Sequence, residues 1–169
     1  MSHSLKISSL IIFLLLQLSM RADLLWVQLG VDGLTCSQCC RSVELSLRRL
    51  EFVSDVNMDL QSTEAKITFK PGLRVSVDRI ARAVSDAGFS VRFLKGGLLV
   101  NNLDVKENSC YKTEEGQLQF VKTGNKLLNG EVALTFLGKD FLSRNGYKQW
   151  KDALKLSCTG ADKMYFVTL

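Results

Sequence analysis

Between residues 24 and 94 the spacing of apolar positions switches repeatedly between the two-residue period of a strand and the 3.6-residue period of a helix. Residues 24–31, Leu-Leu-Trp-Val-Gln-Leu-Gly-Val, are a short run of β-formers and predict a strand that Asp32-Gly33 ends. Over residues 38–50, Val43, Leu47 and Leu50 fall on one face of a helix, with Glu44, Arg48 and Arg49 elsewhere on it. Residues 53–60 alternate imperfectly and predict a strand. Gln61-Ser62 read as a turn, and residues 64–69 alternate cleanly as the second strand of a hairpin, which Pro71-Gly72 terminates. Val77, Ile80, Ala81, Val84 and Ala87 then recur at i, i+3, i+4, i+7 and i+10, the clearest amphipathic helix in the chain. Ser76 stands at its N-cap and Gly88 where a C-cap glycine belongs. Residues 89–94 alternate as a last strand.

The order strand, helix, strand, strand, helix, strand predicts an α+β fold of the ferredoxin-like type: a four-stranded antiparallel sheet with two helices on one face. Gly96-Gly97 reads as a seam after it. Short candidate strands follow near 98–105, 117–122, 131–137 and 163–168, separated by turn signals at Asn101-Asn102, Glu115-Gly116, Asn129-Gly130 and Gly160. A helical stretch over 140–156 carries Phe141, Leu142, Tyr147, Trp150 and Leu154, most simply as core. The expectation for residues 96–169 is a small β-rich domain with one helical segment, following a domain over 23–95.

Residues 1–22 are set apart from this plan. Lys6 precedes an apolar run over 10–16 that is too short to span a ~30 Å bilayer as a helix. This is the layout of a secretory signal peptide, with cleavage after Ala22. It predicts an exported protein, periplasmic or secreted. The alternative is an uncleaved anchor, through which alone the chain would meet a membrane. Composition adds little: 46% of the 169 residues are hydrophobic and Pro71 is the single proline, which argues against long disorder. The net charge of +5 is spread along the chain, without a basic run or interleaved aromatics, so it points to solubility and not to nucleic acid.

Export sharpens the reading of the five cysteines, since thiols tend to pair in oxidising compartments. Cys110 and Cys158 are predicted to form a disulfide, worth ~2–4 kcal/mol; the alternative is two separate buried thiols. Cys36-Ser37-Gln38-Cys39 brings two sulfurs together where a loop enters a helix, and helix N-terminal amides favour the thiolate. Thiolates select soft ions such as copper(I), zinc and mercury(II). Structural zinc wants four ligands. There is no second C-x-x-C, and the single histidine is His3, inside the signal segment. A closed zinc finger is excluded; a two-sulfur site suits copper(I) or mercury(II) and leaves room for a partner's thiol. The same spacing serves thiol–disulfide redox proteins, although Pro71 lies in a hairpin-to-helix loop, not opposite the dithiol. The C-terminal half has no nucleophile elbow, phosphate loop or paired-carboxylate motif, and its charged residues read as a solvated face. No enzymatic activity is expected.

Gly33-Leu34-Thr35-Cys36-Ser37-Gln38-Cys39 and the later Ala87-Gly88-Phe89 resemble the two signatures of the heavy-metal-associated (HMA) domain family, over residues 24–95. That family includes copper chaperones, the N-terminal domains of copper-exporting ATPases and periplasmic mercury-binding proteins. The resemblance implies a ferredoxin-like fold, metal held by Cys36 and Cys39, and a metal-transport protein that exchanges the ion through thiols. It places Phe89 beside the site. Leu34 replaces the family's usual methionine, which anchors the loop in the core, a task leucine can serve. Cys40 is additional. At about 100° per residue it turns away from Cys39, and it reads either as a small buried residue or as a third ligand. A non-metallated interaction protein whose C-terminal half carries the function stands as a further alternative.

Overall fold

The alternating runs become strands because one face of each can be buried and the other left wet. The computed structural model describes residues 24–160 and 163–169; the segment read as a signal peptide lies outside the described residues. Strand β1 (Leu24–Asp32) buries Val27, Leu29 and Val31. Helix α1 (Ser37–Arg48) follows, then the hairpin of β2 (Val53–Asp59) and β3 (Glu64–Phe69), and then α2 (Val77–Asp86). Helix α2 buries Val77, Ile80, Ala81, Ala83 and Val84. Burying each of the valines and the isoleucine contributes ~1.5–3 kcal/mol. That stripe holds the helix, since 10 residues are too few to stand alone in water. Ser76 caps its start, its hydroxyl accepting from Arg79 N–H at 3.4 Å.

Strand β4 (Ser90–Val105) is longer than residues 89–94 predicted and absorbs the candidate strand at 98–105. Beyond it lie β5 (Cys110–Lys112), which has no counterpart in the sequence reading, β6 (Gln117–Phe120), β7 (Lys126–Leu137), α3 (Arg144–Trp150) and β8 (Met164–Thr168). The eight strands form one sheet in the order β2-β3-β1-β4-β7-β8-β6-β5. Its first four, all antiparallel, give the ferredoxin-like arrangement with α1 and α2 on one face.

Gly96-Gly97, expected as a seam, lies inside β4, and the sheet is continuous across it. These glycines answer to close approach. A Cβ at Gly96 would stand 2.6 Å from Leu24 Cδ2, and one at Gly97 would collide with the Trp26 indole, which lies across it. Two of the expected turns are also corrected. Asn101-Asn102 and Asn129-Gly130 sit within β4 and β7, where the register slips by one residue between Val100 and Leu103. Asn102 (φ 48°) and Gly130 (φ 80°) take up the left-handed geometry of this bulge. The helix expected over 140–156 is confined to α3 and the turns flanking it.

One apolar core runs from Val27 and Leu47 through β4 to Phe120, Phe136 and Val167. A smaller cluster of Val121, Leu137 and Leu142, joined by Phe93, Tyr147 and Trp150, packs on the other face beneath α3. The C-terminal half is tied to α2 by a polar staple. Tyr165 Oη donates to Asp78 Oδ2 at 2.5 Å, and Lys163 forms an ion pair with the same carboxylate. Cys110 and Cys158 are bonded, with Cα atoms 5.9 Å apart, and Gln119, fully buried, donates to Lys155 O and accepts from Ser157 N–H. Together they hold the loop after α3 against β6. Among the described residues no helix is long and apolar enough to cross a membrane.

Burial and the neighbouring Asp78 carboxylate push the Tyr165 hydroxyl well above the usual tyrosine range. The folded state therefore keeps this proton where the unfolded chain loses it, near pH 10, and stability falls as pH rises past that point. Tyr165→Phe is expected to cost about 1–2 kcal/mol at pH 7 and to flatten that alkaline loss. Urea unfolding at pH 7 and above pH 10 measures both.

Candidate metal centre

The chain leaves β1 at Asp32 and turns at Gly33, whose φ of 88° is a left-handed geometry that glycine adopts without a Cβ penalty. Leu34 then enters the core, 9% exposed, and fixes the loop from below. Cys36 is the N-cap of α1, in extended backbone geometry, and Cys39 lies in the first turn. Cys36 Sγ accepts from Cys39 N–H at 3.1 Å, and Cys36 O receives the first helical hydrogen bond, from Cys40 N–H at 3.2 Å. A sulfur here does the work usually given to a serine or aspartate oxygen at an N-cap.

The two sulfurs are joined in this structure, with Cα atoms 5.2 Å apart. Cys36 is exposed and Cys39 half-buried. No acidic residue occupies the first turn of α1, and the first cation along it, Arg41, is engaged by Glu44 at 3.3 Å. The free amides of the helix start favour negative charge on the sulfurs once the bond is reduced. Cys40 is the free cysteine. It is 5% exposed and packs in the core with Val43 and Leu47, one helical face away from the pair. Among the described residues no group of three or more His, Cys, Asp or Glu side chains is placed to hold a metal.

Phe89 owes its place to the end of α2. Gly88 (φ 89°) donates to Ser85 O at 2.9 Å, and Phe89 N–H reaches back to Val84 O at 3.1 Å. This is a Schellman ending, which turns the residue after the glycine back over the helix. The Phe89 ring lies 3.6 Å from where a Cβ on Gly33 would stand, so it closes one side of the cysteine loop. Arg92 was not visible as a site residue in the sequence. Its guanidinium donates to Thr63 Oγ1 and Ser62 O, both at 2.9 Å, and stands 3.9 Å from Asp32. Thr63 (φ 54°) is held in left-handed backbone by this clamp and by Val31 N–H on its carbonyl at 3.0 Å. Ser62 and Thr63 lie some thirty residues away in the turn between β2 and β3, and no local pattern announces them.

Residues 28–90 match the heavy-metal-associated domain family. The periplasmic component of the mercuric transport protein of Serratia marcescens is 38% identical over 63 residues, which cover 37% of this chain and 68% of that relative. Copper-transporting ATPase HMA5 of Oryza sativa subsp. japonica is 32% identical over 99 residues, 54% of this chain and 10% of the ATPase. The chain thus spans about a tenth of the length of the copper-transporting ATPases it matches. Among solved structures, oxidised MerP from Ralstonia metallidurans CH34 shares 34% identity over 41% of this chain and 97% of its own, at a TM-score of 0.37. The chain belongs to the heavy-metal-associated domain family.

The contrast in burial gives a direct check. In the native oxidised protein Cys40 is expected to react with a maleimide far more slowly than in denaturant. Once the Cys36–Cys39 bond is reduced, those two thiols should label before Cys40, as read by peptide mass mapping. Rapid labelling of Cys40 in the native state would contradict its place in the core.

Proposed function

We propose that this protein is an exported carrier, scavenger or sensor of a soft metal ion, held between the reduced sulfurs of Cys36 and Cys39. The observation that carries this reading is the pair itself: two sulfurs on the open N-terminal turn of α1, with no third protein ligand beside them among the described residues. Two thiolates suit copper(I) first and mercury(II) next. Zinc is poorly served, because it prefers four ligands. Membership of the heavy-metal-associated family, and relatives named for copper and mercuric transport, support the same class of cargo.

An open two-sulfur site fits transfer by ligand exchange. A thiol from a metal-transport protein adds to the ion while one of the two cysteines leaves, so the ion is never released to water. Export rests on the signal-like residues 1–22 and agrees with the relative named as periplasmic. The site performs binding and hand-over, not catalysis. A second reading, thiol–disulfide exchange by the same pair, is favoured by one observation, the closed Cys36–Cys39 bond. Pro71 follows β3 at the end of the sheet remote from the dithiol, so the proline that thioredoxin-like sites set against their cysteines has no counterpart here.

Titrating the reduced protein anaerobically with copper(I) is expected to show one tight site per chain. Cys36→Ser and Cys39→Ser should each abolish it, and Cys40→Ser should leave it intact. Equal loss in Cys40→Ser would overturn the two-ligand assignment; no tight site in the unaltered chain would overturn the metal reading.

A further inference from the structure

The pole of the sheet that carries the dithiol is built from both halves of the chain. Strand β4 begins there at Ser90, yet its outer edge joins β7 only from Lys95 onward. Ahead of Lys95 that edge is met by the segment following β7. Leu142 bridges to Phe93, and Ser143 N–H donates to Arg92 O at 2.9 Å. Between this segment and the start of β4 lies a cleft of about 550 Å³, floored by Val91 and Leu142. Asp32, on its wall, immediately precedes Gly33, and Ser90 follows Phe89, whose ring closes the cysteine loop. The cleft therefore adjoins the loop that presents Cys36 and Cys39.

Its charges are of both signs and largely unspent. Lys139 and Arg144 are cationic, Asp32 and Asp140 anionic. Lys139, Asp140 and Arg144 make no ion pair among the described residues, and Asp32 has only the 3.9 Å approach of Arg92. The Lys139 ammonium stands 5.8 Å from the centroid of the Tyr147 ring, which helps wall the cleft. A volume of this size takes a small molecule, not the face of a protein domain. Asp140 lies beside Lys139 on the segment that also carries Arg144, and Asp32 is contributed by the end of β1; this mixed set of charges matches a zwitterion better than a simple anion.

We propose that this cleft seats a zwitterionic low-molecular-weight thiol, which supplies a third sulfur to the ion held by Cys36 and Cys39. Its carboxylate lies against Lys139 and Arg144, the latter suited to a bidentate contact, and its ammonium against Asp32 and Asp140. Among the described residues no third ligand stands at the dithiol, Cys40 being buried in the core. An external sulfur completes a trigonal set that two cysteines leave open, and no electrons move in the exchange. The proposal rests on the soft-metal reading above.

The test uses the full chain and two probes, glutathione and S-methylglutathione, whose sulfur is blocked. S-methylglutathione is expected to bind the oxidised, metal-free protein saturably. The double substitution Lys139→Glu with Arg144→Glu should weaken that binding about tenfold or more, while Lys126→Glu, at the far end of β7, should leave it unchanged. In the reduced protein loaded with one copper(I), glutathione should raise the sulfur count seen by X-ray absorption from two to three, and should fail to do so at the same concentration in the double variant. Absence of S-methylglutathione binding, equal binding in the double variant, or a copper(I) site that stays two-coordinate would each overturn the proposal. Failure of copper(I) to bind without added thiol would instead overturn the metal reading, and the metal-free arm would still report on the cleft.

Discussion

Strand β4 carries two ladders at once, and the rest of the structure depends on it. Along one edge it pairs with β1 from Ser90 to Leu98; along the other it pairs with β7 from Lys95 to Val105. Four strands and two helices of a ferredoxin-like unit thereby share their sheet, and a single apolar core, with four further strands. A strand edge left bare is a row of unpaired backbone groups open to another chain. Here the β4 edge of the first unit is covered internally from Lys95 onward. The short stretch that β7 does not reach lies at the dithiol pole, where the segment before α3 replaces it and opens a cleft.

The site is placed by helix ends, not by a cavity. A helix N-cap supplies Cys36, the first turn supplies Cys39, and a Schellman ending of the antiparallel neighbour supplies Phe89. Each is a local device that satisfies orphan backbone groups, and each is anchored by burial just behind it: Leu34 under the loop, Val84 within α2, Cys40 and Val43 within α1. The result is an exposed dithiol on a rigid mount. Helix amides face the sulfurs, and Arg41, the first cation of the helix, is already engaged by Glu44.

The link between the halves is polar as well as apolar. Asp78, in the first turn of α2, receives Tyr165 and Lys163 from the C-terminal end of the chain. Trp26 of β1 lies over Gly97 and donates to Glu131 of β7 at 2.6 Å. Both contacts cross the boundary that composition suggested near residue 96.

Most of residues 24–94 was legible in the sequence because its signals are local. Periods of two and 3.6, a serine N-cap, a glycine C-cap and the C-x-x-C spacing each depend on residues within a turn or two of one another. The dithiol followed from the same short-range patterns, whereas the anchoring role of Leu34 and the place of Phe89 came from the resemblance to the heavy-metal-associated family. What tertiary structure decided involves partners far apart in the chain. Gly96-Gly97 looks like a linker until Leu24 and Trp26 are seen packed against it, and Asn129-Gly130 looks like a turn until β4 supplies the other side of the bulge. Cys40, undecided between ligand and core from its neighbours alone, was settled by which face of α1 meets the sheet. Glycine and asparagine report only that the backbone needs freedom. Whether that freedom serves a turn, a bulge or a close contact depends on what folds back against it, which sequence alone could not reveal.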